Sequence, residues 1–333
     1  MSDSEKCSAT VRAHANIALA KYWGKADIAR NLPAVPSLSL TLAGMRTTTE
    51  VTFAPELTQD ELTLGGSLQQ GKPLARATKL LNEVRGLCGV GTFARVRSHN
   101  DFPTASGLAS SASGFAALAL AAVNALGLQL PSERVSALAR AASASAARSL
   151  FGGYVELGAS AESAERVAPP AHWPLTMLVA VTSEAAKDTG STDGMQHTAH
   201  TSPYYSSWVS DAPRLFAEVK AAVLAKDFER LAPAVEQSAL CMHASMLAAS
   251  PALIYFRPAT LAVIEAVRAE RRRGTAACFT IDAGPHVKVL VEPGNVKAMS
   301  AALAGVAGVL RVLESAPGPD AAVVAGGAPP QSS

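Results

Sequence analysis

Apolar residues recur with period two over short stretches of this chain and with helical spacing over longer ones, which predicts a mixture of strands and helices. Strands are predicted over 10–22 (TVRAHANIALAKY), 37–42, 45–53, 61–64 and 93–97. In the third of these Arg46, Thr48 and Glu50 take the outer face, and Gly65-Gly66 turns the chain after the fourth. Leu74, Ala77, Leu80, Leu81 and Val84 share one helical face, so 74–87 is predicted as a helix with Arg76 and Lys79 on its polar side. A run of alanine, leucine and valine predicts a buried helix from Phe115 to Leu126. Pro131-Ser132 opens another from Glu133 to about Ala142.

The texture changes near His172, after Pro169-Pro170. Leu175–Thr182 is a continuous apolar strand, and 187–198 (KDTGSTDGMQHT) reads as a polar loop holding Met195. Asp211 is expected to cap a helix running to Lys226, followed by helices over 228–248 and 258–273. Pro258 suits a first helical turn and Gly274 a stop. Strands at 277–281 and 287–291 flank the turn Asp282-Ala283-Gly284-Pro285. A helix at 296–304 and a strand at 309–314 follow. The domains expected are 1–172 and 173–316, with a disordered tail at 317–333. No internal repeat is visible.

Composition narrows the function. The chain has 333 residues, 49% of them hydrophobic, enough to bury a sizeable core. A formal net charge of +2 argues against a nucleic-acid or polybasic membrane role. Aromatic residues make up 5%, and the abundance of alanine points to closely packed helices. Cys7, Cys88, Cys241 and Cys278 form no C-x-x-C pair and have no His at metal-ligand spacing, so reduced thiols are expected. The polar start MSDSEK is not a signal peptide, and 114–130 is short and interrupted for a membrane span. These features fit a cytoplasmic protein. Arg271–Arg273 reads as a solvated helix end.

Three segments carry candidate chemistry. In PTASGLASSASGF (103–115), Gly107 permits a tight turn and the serines supply hydroxyls at a helix start. The first N–H groups of a helix lack intrahelical partners, so this is a candidate phosphate site as well as an ordinary serine-capped helix. It matches neither the Walker pattern nor a dinucleotide fingerprint. In KYWGK, Lys21 and Lys25 bracket an aromatic–glycine turn that suits either an anion or solvent. In SASAARSLFGG, Arg148 can take a carboxylate bidentately or cover a helix end.

The wording Pro103-x-x-x-Gly107-Leu108-x-Ser110-Ser111 resembles the ATP loop of the GHMP kinase superfamily. Taken with NIALAKYWGK (16–25), SASAARSLFGGYVEL (143–157) and FTIDAGP (279–285), in this order, it resembles the diphosphomevalonate decarboxylases within that superfamily. The likeness runs from about residue 10 to 315. It implies an α+β GHMP kinase fold: an N-terminal ATP-binding domain of the ribosomal protein S5 domain 2-like type and a C-terminal ferredoxin-like sandwich, with the site between them. It implies that ATP phosphorylates the tertiary 3-hydroxyl of mevalonate 5-diphosphate, and that loss of this phosphate and of CO2 gives isopentenyl diphosphate.

Roles follow from the same resemblance. Asp282 matches the catalytic aspartate that orients or deprotonates the 3-hydroxyl, and Lys21 a lysine near the reacting centre. Arg148 matches the arginine that holds the substrate carboxylate, with Ser143, Ala144, Ser145, Ala146 and Ala147 beside it. Tyr22, Trp23, Gly24 and Lys25 match the lining of the phosphate end, Arg76 a diphosphate-binding arginine, and Thr192 and Met195 a second substrate loop. Gly107, Leu108, Ala109, Ser110 and Ser111 match the ATP phosphate loop, with Ser98 and Asn100 on its approach. Magnesium is implied by phosphoryl transfer, no dedicated protein metal site is expected, and a homodimer is implied.

Four positions depart from the family's usual wording. Ala142 and Ala144 stand where glycines are common, which puts the geometry near Arg148 in question if those glycines need positive φ. His286 stands for Asn after FTIDAGP and reads as a strand-start residue rather than a proton carrier. Pro36 stands for a polar residue. Alternatives are decarboxylation of the 5-monophosphate to isopentenyl phosphate, phosphorylation alone in the manner of a mevalonate 3-kinase, and a non-catalytic binding protein of the same fold. Retention of Asp282, Arg148 and the loop serines argues against the last two.

Overall fold

Two long neighbouring strands organise the first half of the molecule. The computed structural model describes residues 7–102, 110–185 and 189–324. Strand β1 (Cys7–Ala20) pairs antiparallel with β4 (Ser37–Phe53), with register shifts between His14 and Asn16 and between Ala18 and Ala20. Between them lies a small hairpin of β2 (Lys25–Asp27) and β3 (Leu32–Pro33). The sheet continues through β5 (Glu61–Leu64), β6 (Ser67–Gln69), β7 (Ala94–Asn100), β8 (Tyr154–Leu157) and β9 (Glu165–Ala168). With β14 (Ala322–Val323) its order is β14-β1-β4-β7-β5-β6, and β8 joins β4 with β9 beyond.

Helices α1 (Lys72–Cys88), α2 (Ser110–Ala125) and α3 (Ser132–Ala142), then a 3₁₀ helix over Ala144–Leu150, pack on this sheet. On α2, Ala112, Ala116, Ala119 and Ala122 are wholly buried. Small side chains let its backbone approach β1 and β4 closely, which is how an alanine-rich chain builds a dense core.

The second half is a four-stranded antiparallel sheet of β10 (Thr176–Val181), β11 (Ala277–Ile281), β12 (Val287–Val291) and β13 (Arg311–Ser315), in the order β11-β12-β10-β13. Its helices are α4 (Ser191–Thr201), α5 (Tyr205–Ala225), α6 (Phe228–Leu247), α7 (Pro258–Arg272) and α8 (Val296–Ala304). Period-two alternation splits β10 between two cores. Leu178 and Ala180 meet α7 and α8, whereas Met177, Val179 and Val181 belong with α5 and α6. That second core also contains Ile17, Leu19, Leu38 and Leu40 from β1 and β4, so it joins the two halves. Among the described residues no helix is long and apolar enough to cross a membrane.

Several expectations are corrected. Helix α2 begins at Ser110, not Phe115. The polar stretch 187–198 is helical from Ser191, because a narrow buried stripe of Gly194, Met195 and Thr198 packs inward. Asp211 is no cap: α5 already begins at Tyr205, and Asp211 instead accepts from Arg214 Nε at 2.8 Å. Residues 317–324 are not a loose tail, since Ala322 and Val323 pair with Arg12 and Val11 of β1. The edge of β1 offers unpaired backbone groups that this segment satisfies. Residues 325–333 lie outside the described residues.

Candidate active site

Asp282 leaves β11 in a turn pinned from several sides. Gly284 N–H donates to Asp282 O at 2.7 Å, and Pro285 O accepts from Thr260 Oγ1 at 2.7 Å and from Thr182 Oγ1 at 3.1 Å. His286 is buried, and its Nδ1 accepts from Thr182 N–H at 3.2 Å. His286 therefore helps seat the turn, in line with the strand-start reading. The Asp282 carboxylate meets Lys21 Nζ at 2.5 Å through Oδ1 and Lys288 Nζ at 3.0 Å through Oδ2.

Both lysines are almost wholly buried, whereas 27% of the Asp282 side chain is exposed. Burial alone would raise the carboxyl, but Lys21 and then Lys288 outweigh it and hold Asp282 well below the usual carboxylate range. Burial lowers Lys21 to about 8, with Asp282 opposing the shift. Lys21 itself is anchored by donation from its Nζ to Ala18 O at 2.9 Å and from its backbone N–H to Ser238 Oγ at 2.9 Å.

Arg148 projects from the 3₁₀ helix and is 2% exposed. Its Nε donates to Ser39 Oγ at 3.0 Å and its Nη1 to Ser37 Oγ at 2.6 Å. Among the described residues no carboxylate lies within ion-pair distance of it. Burial lowers its guanidinium to about 10, with Tyr22 and Asp282 acting in the opposite sense, so it remains charged near neutrality. A buried cation without a counter-ion is costly to fold, so the Arg148 charge stands available to an incoming anion. Nearby, Ser143 Oγ and Ser145 Oγ are 3.3 Å apart, and Asn16 Nδ2 donates to Ser145 O at 3.0 Å. Among the described residues, the non-glycine residues with positive φ are Asn31, Ser160 and Lys226. Ala142 and Ala144 therefore stand where glycine's freedom is not required. Of their neighbours, Ala146 and Ala147 are fully buried and Ala144 nearly so.

The KYWGK turn follows β1 directly. Trp23 is buried with Met195, Trp208 and Tyr255, and Trp208 Nε1 donates to Trp23 O at 2.8 Å. Gly24 has φ +109°, and a Cβ there would lie 2.1 Å from Tyr205 Oη. Burial raises the Tyr22 phenol far above its ordinary value, and Arg148 opposes that shift by its charge. Burial and then the neighbouring Arg76 lower the Lys25 ammonium, while Asp193 opposes. Arg76 donates to Ala142 O at 2.9 Å and lies 4.5 Å over the Phe115 ring. Lys25 and Arg76 thus face one region from different elements. Met195 is buried in the Trp23 cluster, whereas Thr192 is exposed in the first turn of α4.

Ser110 and Ser111 begin α2, with Ser111 exposed. Gly107, Leu108 and Ala109 lie outside the described residues. Ser98 and Asn100 sit on β7 and are tied into the sheet: Ser98 Oγ is 2.8 Å from Thr49 Oγ1, and Asn100 Oδ1 accepts from Thr47 Oγ1 at 2.6 Å.

Sequence reading missed Lys288, Ser37 and Ser39. A lysine inside the apolar run VKVLV, on a strand buried along its whole length, was the available signal for the first. The serines alternate with leucines in PSLSLTL, which marked one polar face, but nothing local showed that this face would be buried under Arg148.

A sheet-and-helix half carrying a serine-rich helix start, joined through a shared core to a four-stranded sandwich that supplies the acid, is the two-domain GHMP kinase architecture. Residues 13–168 match the model for a diphosphomevalonate decarboxylase-like N-terminal domain, and residues 177–316 that for a mevalonate 5-diphosphate decarboxylase C-terminal domain. The Candida albicans diphosphomevalonate decarboxylase is 36% identical over 308 residues, 86% of this chain and 85% of that protein. The mevalonate diphosphate decarboxylase of Staphylococcus aureus superposes with a TM-score of 0.90 at 37% identity, covering 96% of this chain and 99% of that one. A structure of MDDEF in complex with MVAPP, AMPPCP and magnesium has a TM-score of 0.90 at 41% identity, with the same coverage. The chain belongs to the diphosphomevalonate decarboxylase family.

Proposed function

We propose that this protein is an enzyme that decarboxylates mevalonate 5-diphosphate at the expense of ATP, giving isopentenyl diphosphate, ADP, phosphate and CO2. The observation that carries this reading is Arg148: a buried guanidinium without an acidic partner among the described residues, near enough to Asp282 for that carboxylate's charge to act on it. An enzyme acting on an alcohol that bears no carboxylate would have no need of a buried carboxylate receptor. The relatives that carry the decarboxylase name, and the MDDEF complex with MVAPP and AMPPCP, support the same substrate and co-substrate.

In this reading Asp282 accepts a hydrogen bond from the 3-hydroxyl and aims its lone pair at the γ-phosphorus. Two ammonium groups make Asp282 a weak base, which suits a loose phosphoryl-transfer transition state. The hydroxyl becomes strongly acidic only as the O–P bond forms, and a weak base then suffices. Lys21 and Lys288 keep the acid in place and balance its charge. Arg148 holds the substrate carboxylate while the 3-phosphate departs. The C–C bond electrons become the new double bond, the C–O bond electrons leave with phosphate, and the carboxylate carbon leaves as CO2. Tyr22, Trp23, Gly24, Lys25 and Arg76 bind the 5-phosphate end, with Thr192 and Met195 beside it.

Ser111 and the start of α2 would hold the nucleotide phosphates, and Ser111 would offer its hydroxyl oxygen to magnesium. When bound, magnesium neutralises phosphate charge. Among the described residues no group of three His, Cys, Asp or Glu could hold a metal ion. The division into domains 1–172 and 173–316, a homodimer and a cytoplasmic location belong to the same proposal. Limited proteolysis, sedimentation and cell fractionation test them in turn.

The deciding experiment incubates the protein with ATP, magnesium and either mevalonate 5-diphosphate or mevalonate 5-phosphate, and measures ADP and CO2. One CO2 per ADP, fastest with the diphosphate, is the expected result. Preference for the monophosphate would reassign the substrate. ADP without CO2 would make this a 3-kinase, and neither product would make it a binding protein.

A further inference from the structure

The segment after β13 returns from the second half of the molecule and lies along the exit of the 3₁₀ helix that carries Arg148. Gly318 N–H donates to Thr41 O at 2.7 Å, and Gly318 O accepts from Gly153 N–H at 2.9 Å. The Asp320 carboxylate accepts from Gly152 N–H at 2.6 Å, and Ala321 N–H donates to Leu150 O at 3.2 Å. Farther on, Val324 N–H donates to Thr10 O at 2.9 Å, next to the β14–β1 pairing. From the other side Thr41 Oγ1 donates to Phe151 O at 2.8 Å. Polar backbone groups of residues 150, 151, 152 and 153 are thus all engaged from outside the helix. The contact is close: a Cβ at Gly152 would lie 2.5 Å from Pro319 C and 2.6 Å from Gly318 O.

A 3₁₀ helix has poorer hydrogen-bond geometry than an α-helix, and runs longer than three or four residues are uncommon. The one over Ala144–Leu150 has seven. It holds a buried guanidinium that the fold gives no acidic partner among the described residues, so it needs external support at its end. We propose that residues 317–324 form a strap that positions Arg148 for the substrate carboxylate, with Asp320 as the positioning residue. The proposal rests on the role given to Arg148 above. Asp320 does not touch substrate; it acts through the Gly152 amide and the turn of chain after Leu150. Its ion pair with Arg166, which is more than one-third exposed, is incidental to this role.

The test uses the full chain with Asp320→Ala, Asp320→Asn and Arg166→Ala, reading amide hydrogen exchange over 147–153 together with steady-state kinetics. A hydrogen bond to a charged acceptor is worth roughly a factor of ten to a hundred, so exchange over 147–153 should rise about tenfold or more in Asp320→Ala. Misplacement of a substrate-orienting group by about 1 Å costs on the order of 10²-fold. The kcat for CO2 release should therefore fall at least about tenfold in Asp320→Ala, with the KM for ATP within about twofold. Asp320→Asn keeps an acceptor oxygen and should stay near wild type in both readouts, as should Arg166→Ala. The proposal is overturned if Asp320→Ala changes neither readout, if Asp320→Asn is as impaired as Asp320→Ala, or if Arg166→Ala reproduces the defect. Should Asp320→Ala fail to fold, Asp320→Ser, which withdraws the carboxylate from Gly152 N–H, takes its place: raised exchange over 147–153 with lowered kcat supports the proposal, and wild-type values in both overturn it. Exchange needs no turnover, so a wild-type protein that released no CO2 would defeat the proposed function without deciding the strap.

Discussion

Lys21 Nζ lies 2.5 Å from Asp282 Oδ1, linking the end of a strand in one half of the molecule to a turn in the other. Lys288 approaches the second carboxylate oxygen at 3.0 Å. Held between two buried lysines, Asp282 stays ionised through the whole physiological range, and in the proposed mechanism it serves through its direction and charge.

Replacing Asp282 by Asn keeps the shape and removes the charge. A positioned carboxylate contributes about 10²–10⁴-fold to such a step, so ADP formation and CO2 release should fall together by that factor. Nucleotide affinity, measured by calorimetry with a non-hydrolysable ATP analogue, should be nearly unchanged. ADP formation at close to the normal rate would remove Asp282 from the mechanism.

The charge on Lys21 sets a pH limit. With Lys21 lowered to about 8, kcat/KM should decline above about pH 8 as the ammonium is lost, and a Lys21→Met variant should lack this limb. No acid limb from Asp282 is expected near neutrality, because its folded pKa lies below the ordinary 3.8. For stability the signs are as follows. The Asp282 contribution is full above the unfolded carboxylate value and is lost as pH falls toward the folded one. Lys21 binds its proton more weakly when folded, so its penalty is present below about pH 8 and disappears as pH rises toward 10.5. Rate profiles and urea denaturation across pH 3–10 check both.

At Arg148, substitution by Lys keeps a positive charge and loses the planar fork that matches a carboxylate. CO2 release should fall by about 10²-fold from misplacement of the reacting group, and ADP formation should fall less. The 3-phosphorylated intermediate should then be found free in solution by phosphorus NMR. Strict one-to-one loss of ADP and CO2 would show that Arg148 acts before phosphoryl transfer.

In the proposed site, Ser111→Ala withdraws a hydroxyl that would donate to a phosphate oxygen or offer its oxygen to magnesium. Losing one preorganised donor typically costs about 10²–10³-fold in kcat. Near-normal ADP formation at saturating ATP would move the phosphate site elsewhere.

Gly24 has φ +109° and no room for a Cβ against Tyr205 Oη. Gly24→Ala should cost about 1–3 kcal/mol through backbone strain and raise the KM for the phosphorylated substrate more than that for ATP. Adding Tyr205→Phe removes the hydroxyl in conflict but not the strained φ, so recovery should be partial. Thermal unfolding and paired KM measurements decide this.

Much of this architecture was legible in the order of residues. Alternating or continuous apolar runs located β10, β11 and β12, and located β4 as two strands, 37–42 and 45–53, where the structure has one, because a strand with a buried face writes such positions into the chain. The KYWGK, RSLFGG and FTIDAGP segments gave the family and named the candidate residues of the proposed site, since chemistry at a fixed turn constrains neighbouring residues. Local reading failed where the decisive partner was distant. Helix α4 looked like a loop because its buried stripe is only Gly194, Met195 and Thr198, and becomes apolar in effect only against Trp23 and Tyr255. Residues 317–324 looked disordered because their pairing partners lie in β1, β4 and the end of the 3₁₀ helix, far away in sequence. Lys288 and the Ser37–Ser39 pair became site residues only when folding carried them to Asp282 and Arg148. Sequence alone determined which local elements and reactive groups were present. Tertiary structure decided their charge states and neighbours, because desolvation and Coulomb interaction depend on distance in space and not along the chain.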